Sequence, residues 1–242
     1  MNLSLSKIRN RWVRLRMARR DLQPLARANL ASLDHLDRSC KVRHCRYVVV
    51  DLETTGLDVE RDRIVSVGAV RIEDGRILLG SVFDELVNPG RRIPLASTRI
   101  HGITKEMVRH ARSEEDVCTD FMAFLGRDII VAHHARFDLH FLNRVMRNMH
   151  GFPLQNLVLD TVPLCRTIVF PPHPYPYGID LNSMQFSLDA VAKHFAIDIQ
   201  GRHTALGDAM ATAMIFQRII SMLESQGQGS LNELVRLSGL AP

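Results

Sequence analysis

Long apolar runs are missing from this chain of 242 residues. No uninterrupted stretch reaches the roughly 18 residues needed to span a membrane. Met1 to Arg20 lacks the apolar centre of a secretory signal. Neither a spanning nor an exported protein is expected. Cysteine is scarce too. Cys40, Cys45, Cys118 and Cys165 fit neither a disulfide framework nor zinc spacing, and Cys40 and Cys45 with His44 between them make only a faint metal pattern. A cytoplasmic, reducing compartment is the simplest expectation. Internal repeats are absent. A hydrophobic share of 46% supports one packed globular domain with extensions.

Acidic residues are nearly absent from the first 46 positions, which hold twelve Lys/Arg against Asp21, Asp34 and Asp37. That local +9 exceeds the whole chain's +5, so the remainder carries −4. Residues 1–45 read as a basic amphipathic helical extension. Leu5, Ile8, Trp12 and Leu15 trace an apolar stripe, with Lys7, Arg9, Arg11, Arg14, Arg16 and Arg20 beside or opposite it. Leu3, Val13 and Met17 fall off the stripe, and Arg19 lands on it. Pro24 is expected to end or kink the helix, and Leu25, Leu30, Leu33 and Leu36 suggest a second helical piece. Such a helix can dock its stripe on the main domain, or meet nucleic acid, a membrane surface or a partner groove. Arg-rich and acid-poor, it also superficially resembles a transit peptide.

The most informative stretch is Asp51-Leu52-Glu53-Thr54-Thr55-Gly56-Leu57. It follows Tyr47-Val48-Val49-Val50, which reads as a buried strand. Residues i and i+2 of a strand share a face, so Asp51 and Glu53 present two carboxylates side by side. Like charges at that spacing repel unless a cation lies between them. Hard carboxylate oxygens suit magnesium or manganese. The competing explanation is a solvated strand end. Gly56 allows a sharp turn after the pair.

Two further carboxylates recur in helical first turns. Ile129 to Ala132 read as a strand, and Phe137, Phe141, Leu142 and Val145 recur at helical spacing, which places Asp138 at the helix start. Ala205 to Ser225 has helical periodicity with Thr204 as N-cap, which places Asp208 likewise. The helix dipole alone would accommodate either aspartate without a metal. His203 sits on the preceding loop. An imidazole titrating near pH 6.5 suits general-base work, although polar surface is the ordinary fate of one histidine among eleven.

Taken in order, Asp51-Leu-Glu53-Thr-Thr-Gly, His101-Gly-Ile-Thr, Val-Ala-His133-His-Ala-Arg-Phe-Asp138, Leu159-Asp160-Thr161 and His203-x4-Asp208 resemble the DnaQ-like 3′→5′ exonucleases. The histidine motif is that of the DEDDh branch, and the whole is similar to the exonuclease domain of the DNA polymerase III epsilon subunit. The resemblance covers about Arg46 to Glu224. It implies an α/β, RNase H-like five-stranded mixed sheet flanked by helices. It also implies two divalent ions, Mg2+ or Mn2+, on Asp51, Glu53, Asp138 and Asp208, with His203 as general base. Thr54, Thr55, Gly56 and Leu57 would meet the terminal nucleotide, with Leu57 as a wedge. His101 and Ile103 would form the other wall, and ordinary core packing competes for Leu57 and Ile103. His134 stands where the family usually has asparagine, which alters the hydrogen-bonding chemistry of the pocket.

The expected partners are single-stranded DNA or RNA 3′ ends, with DNA favoured, and a DNA polymerase or other protein through the N-terminal helix. An RNA-trimming enzyme and a catalytically idle nucleic-acid-binding module are the alternatives. Within residues 46–224 the chain further predicts a hairpin about Asp74-Gly75, and helices over 113–125 and 187–195. Pro171 to Gly178 reads as a proline-rich loop whose aromatics could stack on bases. Residues 225–242 read as a Gly/Gln/Ser linker and a short apolar tail. An epsilon-type proofreading subunit is expected to carry more chain there for its polymerase.

Overall fold

A computed structural model describes residues 23–33, 36–170, 183–227 and 229–238. The stripe from Leu5 to Leu15 and the proline-rich loop lie outside the described residues. The elements in chain order are α1 (Pro24–Leu30), β1 (Tyr47–Thr54), β2 (Ile64–Glu73), β3 (Arg76–Leu86), α2 (Leu95–His101), α3 (Lys105–Val108), α4 (Glu114–Leu125), β4 (Ile129–Ala132), α5 (Arg136–His150), β5 (Val158–Asp160), α6 (Thr161–Leu164), α7 (Leu188–His194), α8 (Ala205–Ser225) and α9 (Leu231–Leu237).

The five strands form one sheet in the order β3-β2-β1-β4-β5. The β1–β2 and β2–β3 pairs are antiparallel, and β1–β4 and β4–β5 are parallel. This is the mixed RNase H-like sheet that the resemblance implies. The β2–β3 hairpin turns at Asp74-Gly75, with φ of 49° and 70°. Two consecutive left-handed residues match the strand twist, which explains why an Asp-Gly pair sits there.

Alternation along β1 sends its side chains into two separate cores. Val48, Val50 and Leu52 pack with Val117 and Phe121 of α4 and Phe141, Leu142 and Val145 of α5. Tyr47 and Val49 face the other way, toward Phe216, Ile219 and Ile220 of α8 and Val191 of α7. Tyr47 meets Phe216 edge-on at 4.9 Å between ring centroids. The period of two then carries Asp51 and Glu53 onto the α8 face. By length and composition α8 could cross a membrane, at mean hydropathy 1.2 over 18 residues, although no uninterrupted apolar run predicts it. Here it is a core helix lying against β1 and β2.

A glycine decides how closely α8 approaches. Gly68 pairs across the ladder with Asp51, and a Cβ there would overlap the backbone of Ala205 and Leu206. Thr204 caps the same helix end by accepting from the Gly207 amide at 3.1 Å.

The flanking segments are woven into the domain. Pro24 opens α1 in the first turn, where its missing N–H costs nothing; the helix expected to end at it lies outside the described residues. Ala26 and Leu30 of α1 pack with Phe152, so this part of the extension docks on the domain. Asn29 also donates to Asn156 at 2.5 Å. The tail forms α9, started by a capping box between Ser230 and Glu233. Leu231, Leu234 and Val235 enter the α8-side core, and the Val42 amide donates to the Gly229 carbonyl at 2.7 Å.

Replacing Gly68 by alanine should lift α8 off the sheet. The expected cost is about 1–3 kcal/mol, the usual range for overpacking, read as a lower urea midpoint at unchanged slope. A variant as stable as the parent would contradict the close approach.

Candidate active site

Asp51 and Glu53 project from β1, and Asp208 descends from the first turn of α8 onto the same face. One carboxylate oxygen from each lies within 4.8 Å of the others. Asp138 reaches the group from α5. Pairing of β1 with β4 stops at Val49–Val131, so the strands part beyond it. The Leu52 amide donates to Asp138 Oδ1 at 3.1 Å, between Asp51 and Glu53 in sequence. Asp138 is 3% exposed and Asp208 5%. All four predicted carboxylates therefore converge, three as a tight group and Asp138 beside them.

The electrostatics are those of anions crowded together. Burial, reinforced by Asp138, Asp208 and Glu53, pushes the Asp51 carboxyl well above the usual range. Glu53 is raised to about 8 by burial and by Asp208. Asp138 is raised to about 8, mainly by burial, against amide donors that favour its charge. Asp208 is also raised by burial. An apolar or amide ligand would not relieve this repulsion, whereas a hard divalent cation would. The all-oxygen donor set suits magnesium or manganese.

One cation of the protein already reaches the group. Arg202 Nη1 is hydrogen-bonded to Asp208 Oδ2, while its Nε donates to Asp189 Oδ1 of α7 at 2.7 Å. It also lies 3.2 Å from His203 Nδ1. A guanidinium only donates, so Nδ1 is the acceptor in this contact. His203 has φ of 62°, and its amide faces Asp208 Oδ1 at 3.4 Å. Its loop lies against the first turn of α8, where a Cβ on Gly207 would overlap the Gly201 carbonyl.

His134 occupies a left-handed position, φ 59°, and is exposed. Asparagine tolerates that conformation best among residues with side chains, and histidine is also enriched there. The backbone at this position thus suits asparagine as well as the histidine present. Neighbouring His133 is buried. Its ring lies 2.7 Å from Thr161 Oγ1 and 2.7 Å from the Phe186 carbonyl, and burial lowers its pKa to about 4.

Asp160 belongs to the Leu159-Asp160-Thr161 motif, but the sequence alone assigns it no task. Its carboxylate accepts from the amides of His134, Ala135 and Val162 at 3.2, 3.0 and 2.9 Å. It thereby ties the turn leading to Asp138 to the end of β5. An aspartate immediately before a helix is the signal that could have found it. No comparable signal marks Arg202 or Asp189, because their contact is made only by the fold.

The residues expected to face a nucleotide differ in their surroundings. Thr55 Oγ1 donates to Asp62 at 2.8 Å, and Thr54 Oγ1 to the Gly56 carbonyl at 2.6 Å. A Cβ on Gly56 would run into the Asp62 carboxylate. Leu57 is 82% exposed, so it is no core residue. Ile103 is buried with Val65, Ile93 and Val108 and does pack as core. Its amide donates to Nδ1 of the buried His101 at 3.0 Å.

Residues 48–216 match the RNase T family model, described as Exonuclease, and the chain belongs to that family. It is 34% identical over 217 residues to a DNA polymerase III PolC-type protein of Thermotoga petrophila, covering 90% of this chain and 14% of that protein. It is 45% identical over 184 residues to a DNA polymerase III subunit epsilon-like protein of Rhodobacter capsulatus, covering 75% of this chain and 24% of that one. The chain thus spans less than a quarter of these two relatives. Among solved structures, Exonuclease X in complex with 5′ overhanging duplex DNA superposes with a TM-score of 0.60 at 25% identity, over 80% of this chain and 99% of that one.

The raised carboxyl groups set a pH dependence of folding. Glu53 binds its proton more tightly folded than unfolded, so its stabilising protonated form is complete below about pH 4.5 and lost as pH rises through about 8. Asp51, Asp138 and Asp208 shift in the same direction. In EDTA the melting temperature should fall between pH 5 and pH 8, and manganese should shrink that fall. A flat EDTA profile would contradict the crowding.

Proposed function

We propose that this protein is a metal-dependent 3′→5′ exonuclease acting on single-stranded nucleic acid ends, with DNA favoured, and that it releases nucleoside 5′-monophosphates in DNA repair or proofreading in the cytoplasm. The observation that carries this is the convergence of Asp51, Glu53 and Asp208 within 4.8 Å, with Asp138 beside them, in a member of the exonuclease family. Asp51, Glu53, Asp138 and Asp208 would hold two divalent ions, magnesium or manganese, which when bound supply charge stabilisation for the attacking and leaving oxygens of the displacement.

The protein's own residues divide the remaining work. His203, neutral, accepts a proton from the attacking water. Water oxygen bonds to phosphorus as the bond to the 3′ oxygen of the preceding nucleotide breaks, and that oxygen leaves with a proton. Exposed Leu57 meets the terminal base, and Thr54, Thr55 and Gly56 shape the turn behind it. His101 forms the facing wall, its Nδ1 held by the Ile103 amide, and His134 borders the approach to Asp138. DNA is favoured over RNA because the relatives bear DNA polymerase names and Exonuclease X is bound to DNA.

Labelled single-stranded DNA and RNA, assayed in parallel with magnesium, test the substrate class. Shortening from the 3′ end with mononucleotide release is expected, faster on DNA. Asp51→Ala or Asp208→Ala should abolish turnover without unfolding, and either variant keeping parental activity would exclude that residue as an essential ligand. His203→Ala should cut turnover roughly 10²–10⁴-fold and keep metal affinity nearly intact. If it stays fast with the parental pH profile, the base is assigned wrongly.

A further inference from the structure

We infer that Arg202 is a resident counter-cation of the carboxylate pocket, one that a divalent metal must displace and that Asp189 then receives. The inference rests on the proposed metal role of Asp51, Glu53 and Asp208 and concerns how that site is loaded.

Three observations support it. First, the Arg202 guanidinium is shared between Asp208, through Nη1, and Asp189, through Nε and Nη2 at 2.7 and 3.2 Å. Second, the two acceptors differ in setting. The Asp208 side chain is 7% exposed and the Asp189 side chain 62%, with Arg202 itself at 28%. The guanidinium therefore bridges from solvent into the pocket. Third, its charge reaches Asp51, Glu53 and Asp208 alike and favours their ionised forms.

A carboxylate oxygen that holds an arginine N–H has less capacity left for a metal, and two cations at one oxygen repel. A metal that binds Asp208 through Oδ2 therefore loosens the Arg202–Asp208 contact. The Asp189 contacts can persist, because they lie on the outer side. The same movement takes Nη1 away from His203 Nδ1, where it occupies the ring's bare nitrogen. The geometry thus links filling of the pocket to release of His203.

The test is manganese affinity of the full chain without nucleic acid, read by counting free Mn2+ with electron paramagnetic resonance. Arg202→Gln removes the competitor and should tighten binding by at least roughly fivefold, the lower end of ordinary coupling between sites. Asp189→Asn removes the acceptor that receives the displaced guanidinium, so it should weaken binding by a similar factor. The signs are opposite, whereas an arginine that only holds the loop in shape would give weaker binding in both variants. Thermal melts in EDTA check that each variant folds, and Arg202→Gln should also melt lower than the parent there, having lost its neutralising charge. Weaker or unchanged Mn2+ affinity in Arg202→Gln overturns the inference while leaving the metal site standing. Absence of Mn2+ binding by the parent overturns both.

Discussion

Gly68 bears no side chain, and the backbone of Ala205 and Leu206 fills the space one would take. That contact fixes the depth of α8 over the sheet. It lies across the ladder from Asp51, so it also fixes how near Asp208 comes to Asp51 and Glu53. A larger residue would separate the third carboxylate from the first two. The position trades local stability for proximity: three carboxyls are buried together, and burial raises the proton affinity of each, reinforced at Asp51 and Glu53 by their acidic neighbours. A cation is the simplest relief for that repulsion, and the site's chemistry follows from the packing beneath it.

Each side of the sheet contributes to the site in its own way. The α8 side delivers Asp208 and the His203 loop. The opposite side delivers Asp138 from α5, and Asp160 fastens the turn before it through three amides. Further out, Arg144 of α5 donates to the Val59 carbonyl at 2.6 Å and to Glu114 at 2.8 Å. It ties the loop that carries Leu57 to the same helix as Asp138. Exposed Leu57 and buried Asp138 therefore share one support.

Local chemistry was readable in the sequence wherever a short stretch decides the structure. The run from Tyr47 to Val50 announces β1, Asp74-Gly75 the β2–β3 hairpin, and Ser113, Ser187 and Thr204 the starts of three helices. The strand's alternation alone puts Asp51 and Glu53 on one face. Contacts between distant segments were not readable. Nothing near Gly68 in the chain indicates that Ala205 lies over it, and nothing near Arg202 points to Asp189. The stretch after Ser225 looks like a linker by composition, yet Leu231 and Leu234 complete the core against α8, because burial depends on partners that composition does not reveal. Pro24 is compatible with two readings, since proline both stops helices and starts them, and the structure shows it starting α1.

The central claim is that Asp51, Glu53 and Asp208 form a cation site set by the close approach of α8 to β2. Crystals soaked in manganese test it most directly, by anomalous scattering. The account predicts a strong anomalous peak bounded by oxygens of these three residues, with Arg202 drawn toward Asp189. Full manganese occupancy elsewhere on the protein, with this pocket still closed on Arg202, would contradict it.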